Sequence, residues 1–204
     1  MSAFRFAGAP RHARRSMAWY ASMFGDGPVL DIGAGRGYFL EALAARGVEG
    51  VGVDTSDESV AEARRAGLEI EHEDAFTFLE RRSDAGGIFL SHLIEHFEPA
   101  RAAVLLQLSV AAVRPGGTLV IVTPNPRDWL IMSDIFWLDP THVRPYPIAL
   151  LGAMLEAEGC RVEASGLRPL QLGRRHIPST FMNRLRFGSE YGRGEAWIRA
   201  RRAS

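Results

Sequence analysis

Three side chains in His92-Leu93-Ile94-Glu95-His96 carry the strongest chemical signal, because His92, Glu95 and His96 stand at i, i+3 and i+4. On a helix that spacing gathers one carboxylate and two imidazoles on a single face. Such a set can hold a divalent cation or, without one, move a proton near neutral pH. A further imidazole, His142, follows downstream in Asp139-Pro140-Thr141-His142-Val143-Arg144. The second signal is Val29-Leu30-Asp31-Ile32-Gly33-Ala34-Gly35-Arg36-Gly37, an apolar run that breaks into three alternate glycines. It reads as a strand feeding a ligand-cradling turn, since glycine permits backbone angles and close approaches that a Cβ forbids.

Two nucleotide motifs are excluded at this turn. With Gly33 and Gly35 as the first pair, a dinucleotide fingerprint needs its third glycine at position 38, which is Tyr38. A phosphate-binding P-loop needs a lysine, and the chain contains none. The letters His-x-x-Glu-His also fit an inverted zinc-protease signature, but that signature belongs on a long helix, whereas His92 follows a short apolar strand.

The elements that must position these residues alternate. Arg11 to Phe24 patterns as an amphipathic helix within an N-terminal segment, 1–27, and Val29 to Ile32 as the first strand. Tyr38 to Ala45 follows as a helix, and Gly50 to Asp54 as a second buried strand ending on an acid. Asp54 lies about twenty residues beyond the glycine turn, the spacing at which a carboxylate can bond ribose hydroxyls. Thr55 and Ser56 can cap the next helix, which runs to about Ala66. Leu68 to His72 is a third strand, and Asp74 can cap a helix over Ala75 to Arg82. Gly87 to Ser91 is a fourth strand, and Ala100 to Val113 a long helix expected to turn Val104, Leu105, Leu108 and Ala112 inward. Arg114-Pro115-Gly116-Gly117 then turns sharply into a fifth strand, Thr118 to Thr123. Segment 125–147, rich in proline and aromatics, suits a substrate lid at the carboxyl edge of the sheet. Ile148 to Glu158 is a helix, Arg161 to Leu167 a sixth strand, 168–194 a loop-rich insertion, and Glu195 to Arg201 an alternating last strand.

Asp31 before Gly33, the turn itself, Asp54, Asp74 with Ala75, and the Pro-Gly-Gly entry to the fifth strand together resemble class I S-adenosylmethionine (SAM) dependent methyltransferases over positions 29 to 124. The resemblance implies an α/β, Rossmann-like seven-stranded sheet, mostly parallel with the last strand antiparallel, covered by helices on both faces. One domain spanning 1–204 is expected. The resemblance further implies that Asp31, Gly33, Ala34, Gly35 and Gly37 wrap the methionine half of SAM. Asp54 and Thr55 would then meet the ribose, Asp74 and Ala75 the adenine, with Ser91 and His92 completing the cofactor site. Glu95 and His96 are similar to part of the E-x-x-E-H segment of ubiquinone-pathway O-methyltransferases and small-RNA 2′-O-methyltransferases, where a divalent ion is held. His92 replaces the first glutamate, which leaves magnesium, manganese, iron and zinc all open. By that resemblance the metal candidates are His92, Glu95, His96 and His142. A metal-free reading stays beside it, in which the Glu-His pair orders the segment after the fourth strand and His96 or His142 acts as general base. Trp137 to Pro147 looks like a segment of bacterial methyltransferases that act on glycans and related natural products, so the expected acceptor is a hydroxyl of a small molecule or saccharide.

Composition sets bounds on all of this. The chain has 204 residues, is 47% hydrophobic and carries no net charge, which suits one globular domain. All 24 basic residues are arginine, so Schiff-base lysine chemistry is excluded. Cys160, the only cysteine, reads as core. No apolar run reaches membrane-spanning length, and Met1 to Arg15 lacks the apolar core of a signal peptide, so the expected location is the cytoplasm. The ends are basic; Arg144, Arg168, Arg174, Arg175, Arg184 and Arg186 can bind a phosphate or carboxylate of an anionic acceptor. Two competing functions stay open: a nucleic-acid-modifying or nucleic-acid-binding protein using arginines interleaved with Phe181, Phe187, Tyr191 and Trp197, and a catalytically silent SAM-binding subunit.

Overall fold

In a computed structural model, residues 10–25, 27–168 and 194–204 are described. Seven strands form one sheet: β1 (Val29–Ile32), β2 (Gly50–Asp54), β3 (Ile70–His72), β4 (Ala85–Ser91), β5 (Val113–Pro124), β6 (Cys160–Arg168) and β7 (Glu195–Arg202). Their order is β3-β2-β1-β4-β5-β7-β6, and only β7 runs antiparallel to its neighbours. The order reverses at β1 and β4, where an open α/β sheet leaves a crevice at its carboxyl edge.

Alternation along the strands supplies two cores. Leu30, Ile32, Ile88, Leu90, Leu119 and Ile121 face one side, packed under α4 (Ala75–Glu80), α5 (Pro99–Ala112) and α7 (Ile148–Ala157). Val29, Phe89, Val120 and Val122 face the other, under α1 (Pro10–Ala21), α2 (Tyr38–Ala44) and α3 (Asp57–Arg65). Phe39 and Phe89 stack there at 4.0 Å between centroids. Burial on both faces is why the strands read as apolar runs.

Several expectations need correction. Val104 is exposed, and α5 instead buries Ala102, Leu105, Leu106, Ser109 and Val110; so many of its residues are apolar that the sequence pattern could not orient it. The 114–117 turn is a bulge inside a continuous β5, marked by a register shift opposite Ala85 and Gly87 and by Gly116 at φ +75°. Segment 125–147 contains α6 (Trp129–Ser133) and a 3₁₀ turn (Ile135–Leu138). It is anchored as well, with Ile131, Phe136 and Tyr146 buried. The insertion at 169–193, with Arg174, Arg175, Arg184, Arg186, Phe181, Phe187 and Tyr191, lies outside the described residues. Cys160 is buried, as expected, and no helix among the described residues is long and apolar enough to cross a membrane.

Candidate functional site

The glycine turn joins β1 to α2 at the floor of the crevice. Gly33, Gly35 and Gly37 adopt φ +75°, +53° and +78°, in the left-handed region that a side chain disfavours. Gly33 and Ala34 donate their amides to the Val53 carbonyl, Gly37 to that of Ala34, and Gly35 to Oδ2 of Asp54 at 2.8 Å. These four N–H groups are consumed within the protein, so the turn is not an anion nest. What it offers is carbonyls, an open space over Gly35 that a Cβ would enter, and the carboxylate of Asp31. Asp31 is buried, its Oδ2 has no hydrogen-bond partner, and burial with the nearby Asp54 charge pushes its pKa well above the usual carboxylate range. A buried acceptor in that state fits a cationic ammonium, such as the methionine end of SAM.

Asp54 accepts from Gly35 N and Ser56 N at 2.8 Å each, one bond per oxygen. Each oxygen retains a lone pair for a hydroxyl, and the carboxylate is held in place at the strand end. Thr55 is exposed beside it, and its carbonyl accepts from His72 Nε2 at 3.0 Å. Asp74 caps α4: both of its bonds, from Phe76 N at 3.0 Å and Thr77 N at 3.5 Å, fall on Oδ1, which leaves Oδ2 outside the cap. Ala75 begins α4, and Ser91 closes β4, half-buried.

The segment after β4 does not form the α-helix that would align all three of its titratable groups. His92 sits at φ +52°, and only Ile94–His96 forms a 3₁₀ turn. His92 consequently drops out of the group of three, although it stays beside Glu95. One donor atom each from Glu95, His96 and His142 lies within 4.8 Å of the others, and His92 stands outside that group. Glu95 is fully buried; its Oε2 accepts from Thr123 Oγ1 at 3.4 Å, and its Oε1 has no hydrogen bond. Segment 125–147 packs onto the same residue: Val143 N and Arg144 N donate to the Glu95 carbonyl. His142 donates Nδ1–H to the Phe136 carbonyl at 2.6 Å, and its ring stacks on Phe136. A carbonyl can only accept, so Nε2 of His142 holds the free lone pair.

His92 instead bridges two acids. Its Nδ1 is 3.3 Å from Glu95 Oε1, a close ion pair without hydrogen-bond geometry, and its Nε2 is 3.2 Å from Glu195 Oε2. Desolvation opposes the charge, but the two carboxylates outweigh it and raise the imidazole pKa to about 10. Glu195, the first residue of β7, also accepts from Tyr20 Oη at 2.8 Å and Ser16 Oγ at 3.1 Å, so α1 is latched to the same cluster. Burial works against ionisation of Glu195, yet its bonds from His92, Tyr20 and Ser16 hold its pKa below the ordinary value. The sequence reading missed Glu195 and Tyr20; an acid opening an otherwise arginine-rich strand was the available signal. Trp197 of β7 packs against the core and Trp19.

Residues 8–165 match the family described as "Methyltransferase domain". The chain belongs to this family. A ubiquinone biosynthesis O-methyltransferase of Alkalilimnicola ehrlichii is 32% identical over 113 residues, covering 50% of this chain and 44% of that protein. The chain thus matches less than half the length of that relative. A SAM-dependent methyltransferase from Archaeoglobus fulgidus superimposes with a TM-score of 0.81 at 26% identity, covering 97% of this chain and 96% of that one. Magnesium protoporphyrin IX methyltransferase from Synechocystis, with bound SAM, matches at a TM-score of 0.67 and 12% identity over 95% of this chain and 81% of its own. The expected Rossmann-like methyltransferase fold, six parallel strands with an antiparallel seventh, is therefore the observed one.

Proposed function

We propose that this methyltransferase-family protein transfers the methyl group of SAM to a hydroxyl of a small-molecule or saccharide acceptor in the cytoplasm. The carrying observation is the pairing, at one sheet edge, of the unsatisfied Asp31 carboxylate under an open glycine turn with the Glu95–His96–His142 cluster. When bound, SAM supplies an electrophilic methyl on a positively charged sulfonium. Asp31 and the carbonyls of the turn bind its ammonium, Asp54 and Thr55 its ribose, and Asp74 with Ala75 its adenine. Ser91 and His92 border it at the end of β4.

Methyl transfer is an in-line displacement, so positioning supplies most of the rate, about 7–11 kcal/mol of barrier. A hydroxyl nucleophile must also lose its proton. His96 and His142, with Nδ1 engaged by acceptors, offer Nε2 for that proton, a contribution of about 10²- to 10⁴-fold. A carboxylate oxygen of the buried Glu95, within 4.8 Å of a ring nitrogen of His96 and of His142, also fits a divalent ion, which would orient the acceptor hydroxyl. His92, bound between two acids, is withdrawn from both roles. Arg144 is available to an anionic acceptor group, and it also lies over the Tyr146 ring.

Calorimetric titration with SAM and S-adenosylhomocysteine tests the core of this reading. Saturable binding to the wild type that is lost in Asp54→Ala is the expected result; no binding, or unchanged binding by the variant, overturns it.

A further inference from the structure

His96 is held by a chain of acceptors that runs past Thr141 to a carboxylate. Its Nδ1 lies 2.9 Å from Thr141 Oγ1 and 3.2 Å from the Thr141 carbonyl. The carbonyl can only accept, which places the proton on Nδ1. Thr141 Oγ1 spends its own proton on Asp139 Oδ1 at 2.6 Å, so toward His96 this hydroxyl is an acceptor as well. Asp139 Oδ1 also takes the Thr141 amide at 2.9 Å. Burial disfavours the Asp139 charge, but the Thr141 hydroxyl and amide, with His142 and His96 nearby, outweigh it and lower its pKa. Every direction in the chain is thereby fixed.

We propose that Asp139 and Thr141 are positioning residues that form a carboxylate–hydroxyl–imidazole relay, locking His96 with Nδ1 protonated and Nε2 as its basic, ligating nitrogen. This rests on the reading of His96 as a site residue. A histidine that donates one ring N–H to a carboxylate-backed acceptor is fixed in tautomer and orientation, and its other nitrogen becomes the stronger donor. Asp139 and Thr141 both belong to the 125–147 lid, so the lid that docks on the Glu95 carbonyl also sets the state of His96.

The test uses the full chain labelled with ¹⁵N-histidine, with long-range ¹H–¹⁵N spectra at mildly alkaline pH and a His96→Gln spectrum to assign the resonance. Wild-type His96 is expected as the Nδ1–H tautomer with a downfield, slowly exchanging Nδ1 proton. Thr141→Val and, independently, Asp139→Ala should move that proton upfield, while Thr141→Ser should return it. In parallel, calorimetric titration with Mn²⁺ alone should show affinity weakened about 10-fold by Thr141→Val and retained by Thr141→Ser. A wild-type Nε2–H tautomer, or an Nδ1 proton unmoved in both relay variants, overturns the relay. If the wild type takes no Mn²⁺ but the proton responds as stated, the relay stands and only the ion in the proposed function falls. Backbone amide spectra of each variant separate a lost relay from a lost fold.

Discussion

His92 Nε2 lies 3.2 Å from Oε2 of Glu195, a residue 103 positions later in the chain, while its Nδ1 faces Glu95 Oε1 at 3.3 Å. The imidazolium thus lies between two acids, one at the turn after β4 and one at the start of β7, with the Arg168 guanidinium 3.9 Å from the other oxygen of Glu195. Its pKa rises from 6.5 to about 10, so the stability it contributes is complete below pH 6.5 and is lost as pH climbs through about 10. Urea midpoints measured across that interval should fall for the wild type. His92→Gln should be less stable at neutral pH and nearly flat over the same range. A wild-type curve as flat as the variant's would show that His92 is not charged.

Tyr20 supplies the hydroxyl that completes the same cluster from α1, and its side chain is fully buried. Burial and the Glu195 charge raise its pKa, so it remains a neutral donor. Tyr20→Phe keeps the packing against Phe89 and removes only the donor. Loss of a hydrogen bond to a buried carboxylate should lower stability by about 2 kcal/mol, read as a shift in the denaturation midpoint with unchanged m-value.

The difference between what was legible and what was not lies in the range of the interactions. The β1–β2–β4–β5 framework is written in local signals: buried apolar runs, Gly47 ending α2, and Asp74 with two amide bonds as a cap. The cofactor turn is legible for the same reason, since positive φ at Gly33, Gly35 and Gly37 is a local demand. The geometry of His92 was not, because φ +52° and its capture by Glu195 depend on a strand that joins the sheet only after the whole chain has crossed it. His96 could be nominated from spacing and His142 from the family resemblance, but Thr141 could not, since its hydroxyl matters only once segment 125–147 packs against the 3₁₀ turn at 94–96.

Asp31 sets stability against binding. Its raised pKa means that keeping it ionised costs stability: the cost is absent below pH 3.8, grows as pH rises, and is complete above the folded-state pKa. Asp31→Asn should therefore stabilise the ligand-free protein at neutral pH, on the order of 1 kcal/mol or about 2–4 °C in a chain of this size. The gain should vanish in acid. The same change should weaken S-adenosylhomocysteine binding by about 10- to 100-fold, because a charged acceptor for the ammonium is gone. Scanning calorimetry and titration on one preparation check both halves, and a destabilised variant with normal affinity would contradict the assignment.

Gly35 and Gly37 should separate folding from ligand binding. An added Cβ at Gly37 would meet Leu68 Cδ1 at 2.5 Å and Ala63 Cβ at 3.3 Å, in a backbone at φ +78°. Gly37→Ala should cost about 2–4 kcal/mol, left-handed strain plus overpacking, measurable in urea. At Gly35 a Cβ meets nothing within 4 Å. Gly35→Ala should cost only about 1 kcal/mol of stability, yet weaken SAM about 10-fold or more by filling the cradle. Equal effects of the two substitutions on SAM affinity would place the cofactor elsewhere.

His96 and His142 distinguish proton transfer from cofactor binding. Both hold Nδ1–H against protein acceptors, Thr141 for His96 and the Phe136 carbonyl for His142, and their ring centroids are 4.7 Å apart. Neither is among the residues assigned to the SAM pocket. Once an acceptor hydroxyl is identified, His96→Gln and His142→Gln should lower kcat by about 10²- to 10⁴-fold for whichever histidine takes the proton. S-adenosylhomocysteine affinity should stay close to that of the wild type in both. Glutamine keeps a polar group of similar reach but cannot accept and release a proton near neutral pH, so the comparison isolates that step. An amine acceptor that is already neutral needs the step less and should be methylated by the variants at a rate closer to wild type. If both variants retain full activity on the hydroxyl, deprotonation is not limiting and positioning alone carries the reaction.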